Sequence, residues 1–83
     1  MKRPRLKMKE LLFSMANGLV DHPEEISIRE EENDGIVTLS LHVHPDDMGK
    51  VIGKQGRIAN SMRQVLKACA IKENVKVNLD IDS

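Results

Sequence analysis

The chain has 83 residues, 40% of them apolar, with 13 Lys or Arg set against 13 Asp or Glu. That composition fits one globular domain with a single core and argues against disorder, and no stretch is long and apolar enough for a membrane span. The single cysteine, Cys69, excludes an internal disulfide and points to a reducing, cytoplasmic setting.

The zero net charge is unevenly spread. Between Gly49 and Lys67 stand Lys50, Lys54, Arg57, Arg63 and Lys67 with no acid among them. Between Asp21 and Asp34 seven acids face Arg29 alone. A neutral total therefore permits one basic face, and a phosphate responds to the face rather than to the sum.

In chain order, Met1 to Lys9 is a basic lead that resembles a secretory signal only superficially. Its apolar run is broken by Ser14, Asn17 and Gly18, and no small-residue cleavage site follows. Leu11, Leu12, Met15, Ala16, Leu19 and Val20 recur at helical spacing, which predicts a first helix from about Arg5 to Val20 covering the core. After the turn signal Asp21-His22-Pro23 the period changes to two. Ile26 and Ile28 open a strand, and Glu32-Asn33-Asp34-Gly35 reads as a hairpin turn. The partner strand has Val37, Leu39, Leu41 and Val43 on one side and Thr38, Ser40, His42 and His44 on the other, so one face is packed and one is wet.

Pro45-Asp46-Asp47 starts a short helix that runs through Met48, Val51 and Ile52 and stops at Gly53. A third helix follows from Gly56 or Arg57, with Ile58, Met62, Val65, Leu66 and Cys69 as its expected buried stripe. Val75, Val77, Leu79 and Ile81 then alternate with polar residues in a closing strand. The predicted fold is α+β in the order α-β-β-α-α-β. A three-stranded mixed sheet carries three helices on one face, and strands two and three run parallel if they are neighbours.

The informative stretch is Val51-Ile52-Gly53-Lys54-Gln55-Gly56-Arg57-Ile58-Ala59. Two glycines three apart between helices allow a sharp turn and close approach of another backbone. Lys54 and Gln55 project as hydrogen-bond donors suited to phosphate oxygens. Arg57 enters the next helix where its N-terminus already favours an anion. Bases are expected against strand two and the helix pair, on apolar atoms of Val51, Ile52, Ile58 and Leu41, with Lys50, Arg63 and Lys67 extending the positive rim.

This run, with its flanking elements, resembles the signature of the K-homology (KH) RNA-binding domain, in which a GXXG loop clamps about four nucleotides. A helix and strand ahead of the β-α-α-β unit resemble the type II, prokaryotic arrangement. Leu19 to Glu25, Pro45 to Lys50 and the closing Val-x-Leu-x-Ile strand are similar to small bacterial single-KH proteins of the KhpA (YlqC) type. The similarity covers residues 8–83, read as one KH domain. Residues 1–7 are a basic extension that family members usually lack, and it is expected to be flexible.

The resemblance implies a cytoplasmic single-stranded RNA-binding protein and RNA chaperone. It would pair with a larger KH-containing partner of the KhpB (Jag, EloR) type, or with itself, and be linked to cell-wall homeostasis and cell elongation. It implies RNA-binding roles for Gly53, Lys54, Gln55, Gly56 and Arg57, and for Lys50, Val51, Ile52, Ile58 and Arg63. The competing reading is a dimerisation module whose partner supplies most of the RNA grip.

Other chemistries fit less well. Asp46-Asp47 looks like a helix start, and no nucleophile, base and orienting group are spaced for catalysis. Gly49 to Lys54 is one residue short of a P-loop and lacks its final Ser or Thr. His42 and His44 share a strand face without an evident third ligand, so they read as surface histidines and no metal or other cofactor is expected. Cys69 reads as core filling.

Overall fold

The computed structural model describes residues 6–83. They form α1 (Leu6–Asn17), β1 (Ser27–Asn33), β2 (Ile36–His42), α2 (Met48–Ile52), α3 (Arg57–Lys72) and β3 (Lys76–Asp82). Short 3-10 turns lie at Pro23–Glu25, Pro45–Asp47 and Lys54–Gly56. The α-β-β-α-α-β order is the expected one. Residues 1–5 of the basic lead lie outside the described residues, and α1 begins at Leu6, inside the stretch assigned to the extension.

The sheet order is β1-β2-β3, with β1 antiparallel and β3 parallel to β2. Asp34 and Gly35 join β1 to β2 with φ of 50° and 77°. Both residues sit in the left-handed region that a two-residue hairpin of this twist demands. Val37, Leu39 and Leu41 of β2, followed by Val43, are fully buried. They pack with Met8, Leu12 and Ala16 of α1 and with Met62, Leu66 and Ala70 of α3, so the helices cover one face of the sheet. On the far face Arg29, His42 and Asn78 are exposed and Thr38 and Ser40 half-buried, which is the wet side that strict alternation requires.

Two expectations are corrected in detail. The first helix stops at Asn17 rather than Val20, since Asn17-Gly18 is a poor continuation. Leu19 and Val20 both donate back to the Ala16 carbonyl, at 2.9 and 3.2 Å, and pack on the core from the turn. The buried stripe of α3 is Ala59, Met62, Leu66 and Ala70, with Ile58 and Cys69 at its margins, whereas Val65 is 43% exposed. Spacings of three and four residues keep that set in line, and Val65, about 100° around the helix from Leu66, faces solvent. The alanines at both ends let α3 lie close to the sheet.

The turn into β3 closes α3 firmly. Asn74 adopts φ 60°, its N–H bonds to the Ile71 carbonyl at 3.1 Å, and the Val75 N–H bonds to that of Ala70 at 3.0 Å. This double bond pattern is the Schellman ending of a helix, with asparagine in place of glycine. It fixes the angle at which β3 leaves α3 and so sets the width of the gap between them.

Candidate nucleic-acid interface

Everything about the loop between α2 and α3 follows from how α2 is stopped. Val51 buries itself in the core, and Gly53 closes the short helix by donating to the Gly49 carbonyl at 2.9 Å. Its backbone, φ 76° and ψ 175°, is a conformation that essentially only glycine adopts. A Cβ placed there would meet Ile58 Cγ1 at 2.6 Å, so Gly53 is needed on steric grounds as well. Gln55 (φ 55°) and Gly56 (φ 72°) follow in the left-handed region, and a Cβ on Gly56 would meet nothing within 4 Å. The loop is therefore pinned at its first glycine and open at its second.

Substitution by alanine separates the two roles. Gly53→Ala costs about 2–3 kcal/mol through backbone strain and the Ile58 clash, while Gly56→Ala costs about 1–2 kcal/mol from its φ alone. Urea melts of both variants check this, and equal losses would show that Ile58 yields without cost.

Lys54, Gln55 and Arg57 are all exposed, and the Arg57 guanidinium lies 3.5 Å from Gln55 Oε1. Arg57 opens a 16-residue helix whose first turn holds no acid. A cation at that end opposes the helix dipole at a cost of roughly 0.3–1 kcal/mol, and an external anion would reverse the balance. Ile52 and Ile58 are half-buried at the base of the loop, each with part of its side chain packed on the core.

Three expected contacts are corrected. Val51 and Leu41 have no exposed surface, because both are core residues, and neither can touch a base directly. Lys50 is not a free rim cation either. Its Nζ lies 2.8 Å from Asp21 and 3.2 Å from Asp47, so its charge is already neutralised, and those bonds raise its pKa. Asp47 is the hub of that cluster: fully buried, it accepts from the N–H groups of Asp21 and His22 at 3.2 and 3.0 Å and from Lys50. Burial alone would raise its pKa, but these bonds and one to the His22 ring outweigh it and lower the value from 3.8 to about 2. A sequence pattern of acids before a helix gives no sign that one of them reaches back to the α1–β1 turn.

The sequence places the bases against strand two, and the groove in the structure lies one strand further out. β2 is the central strand and lies under the helices, and an open groove runs between α3 and the edge strand β3. It has a volume of about 780 Å³, with Leu66, Ala70 and Val77 in its wall and Arg63, Gln64 and Lys67 along the α3 side. Arg63 bridges it, donating to the Leu79 carbonyl at 3.3 Å and to Asn60 Oδ1 at 3.3 Å.

With this geometry established, comparison with known proteins is decisive. The family profile described as "KhpA/KhpB, KH domain" matches residues 9–81, nearly the whole chain. The chain belongs to the KhpA/KhpB KH-domain family. It is 54% identical over 74 residues to the RNA-binding protein KhpA of Clostridium perfringens, covering 89% of this chain and 99% of that one. Identity is 51% with the KhpA of Clostridium acetobutylicum and 49% with that of Halalkalibacterium halodurans, over the same share of this chain and 99% and 97% of theirs. In this KH domain the GXXG loop stands at the head of α3 and the cleft runs along its flank. No helix among the described residues is long and apolar enough to cross a membrane.

Proposed function

We propose that this KH domain binds single-stranded RNA by its backbone, with phosphates on Lys54, Gln55, Gly56 and Arg57 and bases directed into the α3–β3 cleft. The observation that carries the reading is the open second half of the loop. Gly56 leaves space on the side where a side chain would stand, beside two exposed cations and a helix N-terminus without an acid. The names of the relatives support the choice of RNA.

The cleft wall carries no aromatic ring. The one aromatic residue, Phe13, is on α1, so stacking worth about 1–3 kcal/mol per base is absent. Binding by one copy is accordingly weak and sequence-tolerant. A second KH surface, on a larger KhpB-type partner or a second copy, would raise it by effective concentration. The joint KhpA/KhpB description of the family supports that pairing. The chaperone role in the cytoplasm and the link to cell-wall homeostasis and elongation belong to the same reading.

Salt titration tests the core of it. Lys54, Arg57, Arg63 and Lys67 neutralise about two to four phosphates, so log affinity for an oligoribonucleotide falls against log salt with a slope of roughly −1.4 to −2.8. Fluorescence anisotropy across a tenfold salt range measures this, and a slope near zero would remove the phosphate clamp from consideration.

A further inference from the structure

The three histidines divide unequally. His42 lies on the open side of the sheet with Nδ1 2.9 Å from Asp82. His22 and His44 come from separate turns, before β1 and before α2, and stack with ring centroids 4.0 Å apart and planes 14° from parallel. The Asp46 carboxylate lies 3.8 Å from His44 Nδ1, and one donor atom from each of His22, His44 and Asp46 falls within 4.8 Å of the other two. The sequence pairs His44 with His42 by strand spacing, whereas the fold brings it to His22.

We propose that His22, His44 and Asp46 form a binding site for one transition-metal dication of the zinc class. Two imidazoles and a carboxylate are a donor set that zinc, nickel and copper accept, and one that magnesium and calcium, which favour all-oxygen shells, do not. His22 is oriented as a metal-bound imidazole commonly is. Its Nδ1 faces the buried carboxylate of Asp47 at 3.2 Å, which holds the ring and leaves Nε2 as the free nitrogen. His44 Nδ1 accepts the Asp46 N–H at 3.0 Å, and that nitrogen, 3.8 Å from the Asp46 carboxylate, is the one whose lone pair would turn to the ion, exchanging the hydrogen bond for the metal bond.

The local charge also suits a dication. Asp21, Asp46 and Asp47 supply three negative charges, and Lys50 between Asp21 and Asp47 returns one positive charge. Both rings are about one-third exposed and Asp46 is largely exposed, so the rings can rotate a little from their stack to converge on an ion, with water completing its shell. A bound ion would tie the turn after α1 to the turn that starts α2, bracing the base of the loop-bearing helix pair at a distance from the loop itself.

The test is metal-dependent melting of the tag-free chain, with the dissociation constant and stoichiometry from calorimetric titration by Zn²⁺. One ion per chain is expected. At free Zn²⁺ about five times the dissociation constant, the folded-to-unfolded ratio rises roughly sixfold and Tm rises by about 4–8 °C. Mg²⁺ at the same concentration gives no shift. His42→Gln keeps the zinc increment and His44→Gln loses it. His22→Gln also loses it, and because this change removes the contact to Asp47, each increment is read against that variant's own metal-free Tm. No zinc shift in the wild-type chain, or an undiminished one in the His22→Gln/His44→Gln double variant, overturns the assignment.

Discussion

Replacing Lys54 and Gln55 together with aspartate lowers affinity for a single-stranded oligoribonucleotide about 100-fold while leaving Tm within about 2 °C of the wild-type value. Each residue contributes a hydrogen bond to a charged phosphate worth about 1.5 kcal/mol net, and about 3 kcal/mol in all corresponds to two decades of affinity. The introduced carboxylates add repulsion. Stability is spared because both side chains are exposed and Gln55 sits at φ 55°, a left-handed conformation that aspartate tolerates better than glutamine. Anisotropy and thermal melts on the same preparation check both halves. Affinity within threefold of wild type would take the loop out of the interface and favour a domain that chiefly assembles with a partner.

Asp47→Ala produces the largest loss of stability, a fall in Tm of about 15 °C or more. The substitution leaves two backbone N–H groups, those of Asp21 and His22, without their acceptor and Lys50 with one carboxylate where it had two. The α1–β1 turn would then separate from the start of α2. The pH dependence follows from the depressed pKa of about 2, below the ordinary 3.8. Because the unfolded chain takes up this proton first, the contribution is complete above about pH 4 and is lost as pH falls through about 2. The Tm gap between wild type and Asp47→Ala should therefore shrink from pH 5 to pH 2 in circular dichroism melts. A gap independent of pH would mean that the carboxylate's charge is not what holds the turn.

How much of this was readable in the residues depends on the range of the interaction. Val37 to Val43 alternate so strictly that β2 and its buried side could be drawn at once, and the glycines fix the break between α2 and α3. Both are signals between near neighbours. Val65 misled because an apolar residue on a helix counts toward a stripe until the helix is rotated against a sheet, and Ala59 and Ala70, small enough for close packing, carry little apolar weight in a sequence. Lys50 reads as a rim cation in sequence because its partners, Asp21 and Asp47, lie one far and one near in the chain, and only folding joins them. Leu41 and Val51 failed for a related reason: a residue beside a motif in sequence can point to the other side of the element that carries it. The β3 edge of the cleft depends on which strand is central, which the two strand pairings decide and a single strand's pattern does not.

The parallel ladder runs from Ile36 opposite Lys76 to His42 opposite Asp82, and both helices and the glycine turn lie in the crossover between its strands. Closing so long a crossover is entropically costly before the ladder rewards it, so this is the slow step of assembly. During synthesis the ribosome must release β3 from its exit tunnel before the crossover can lock. Until then a nascent chain already carries Lys54 and Arg57 but lacks one wall of the cleft. The RNA grip proposed above is therefore complete only once β3 has docked beside β2.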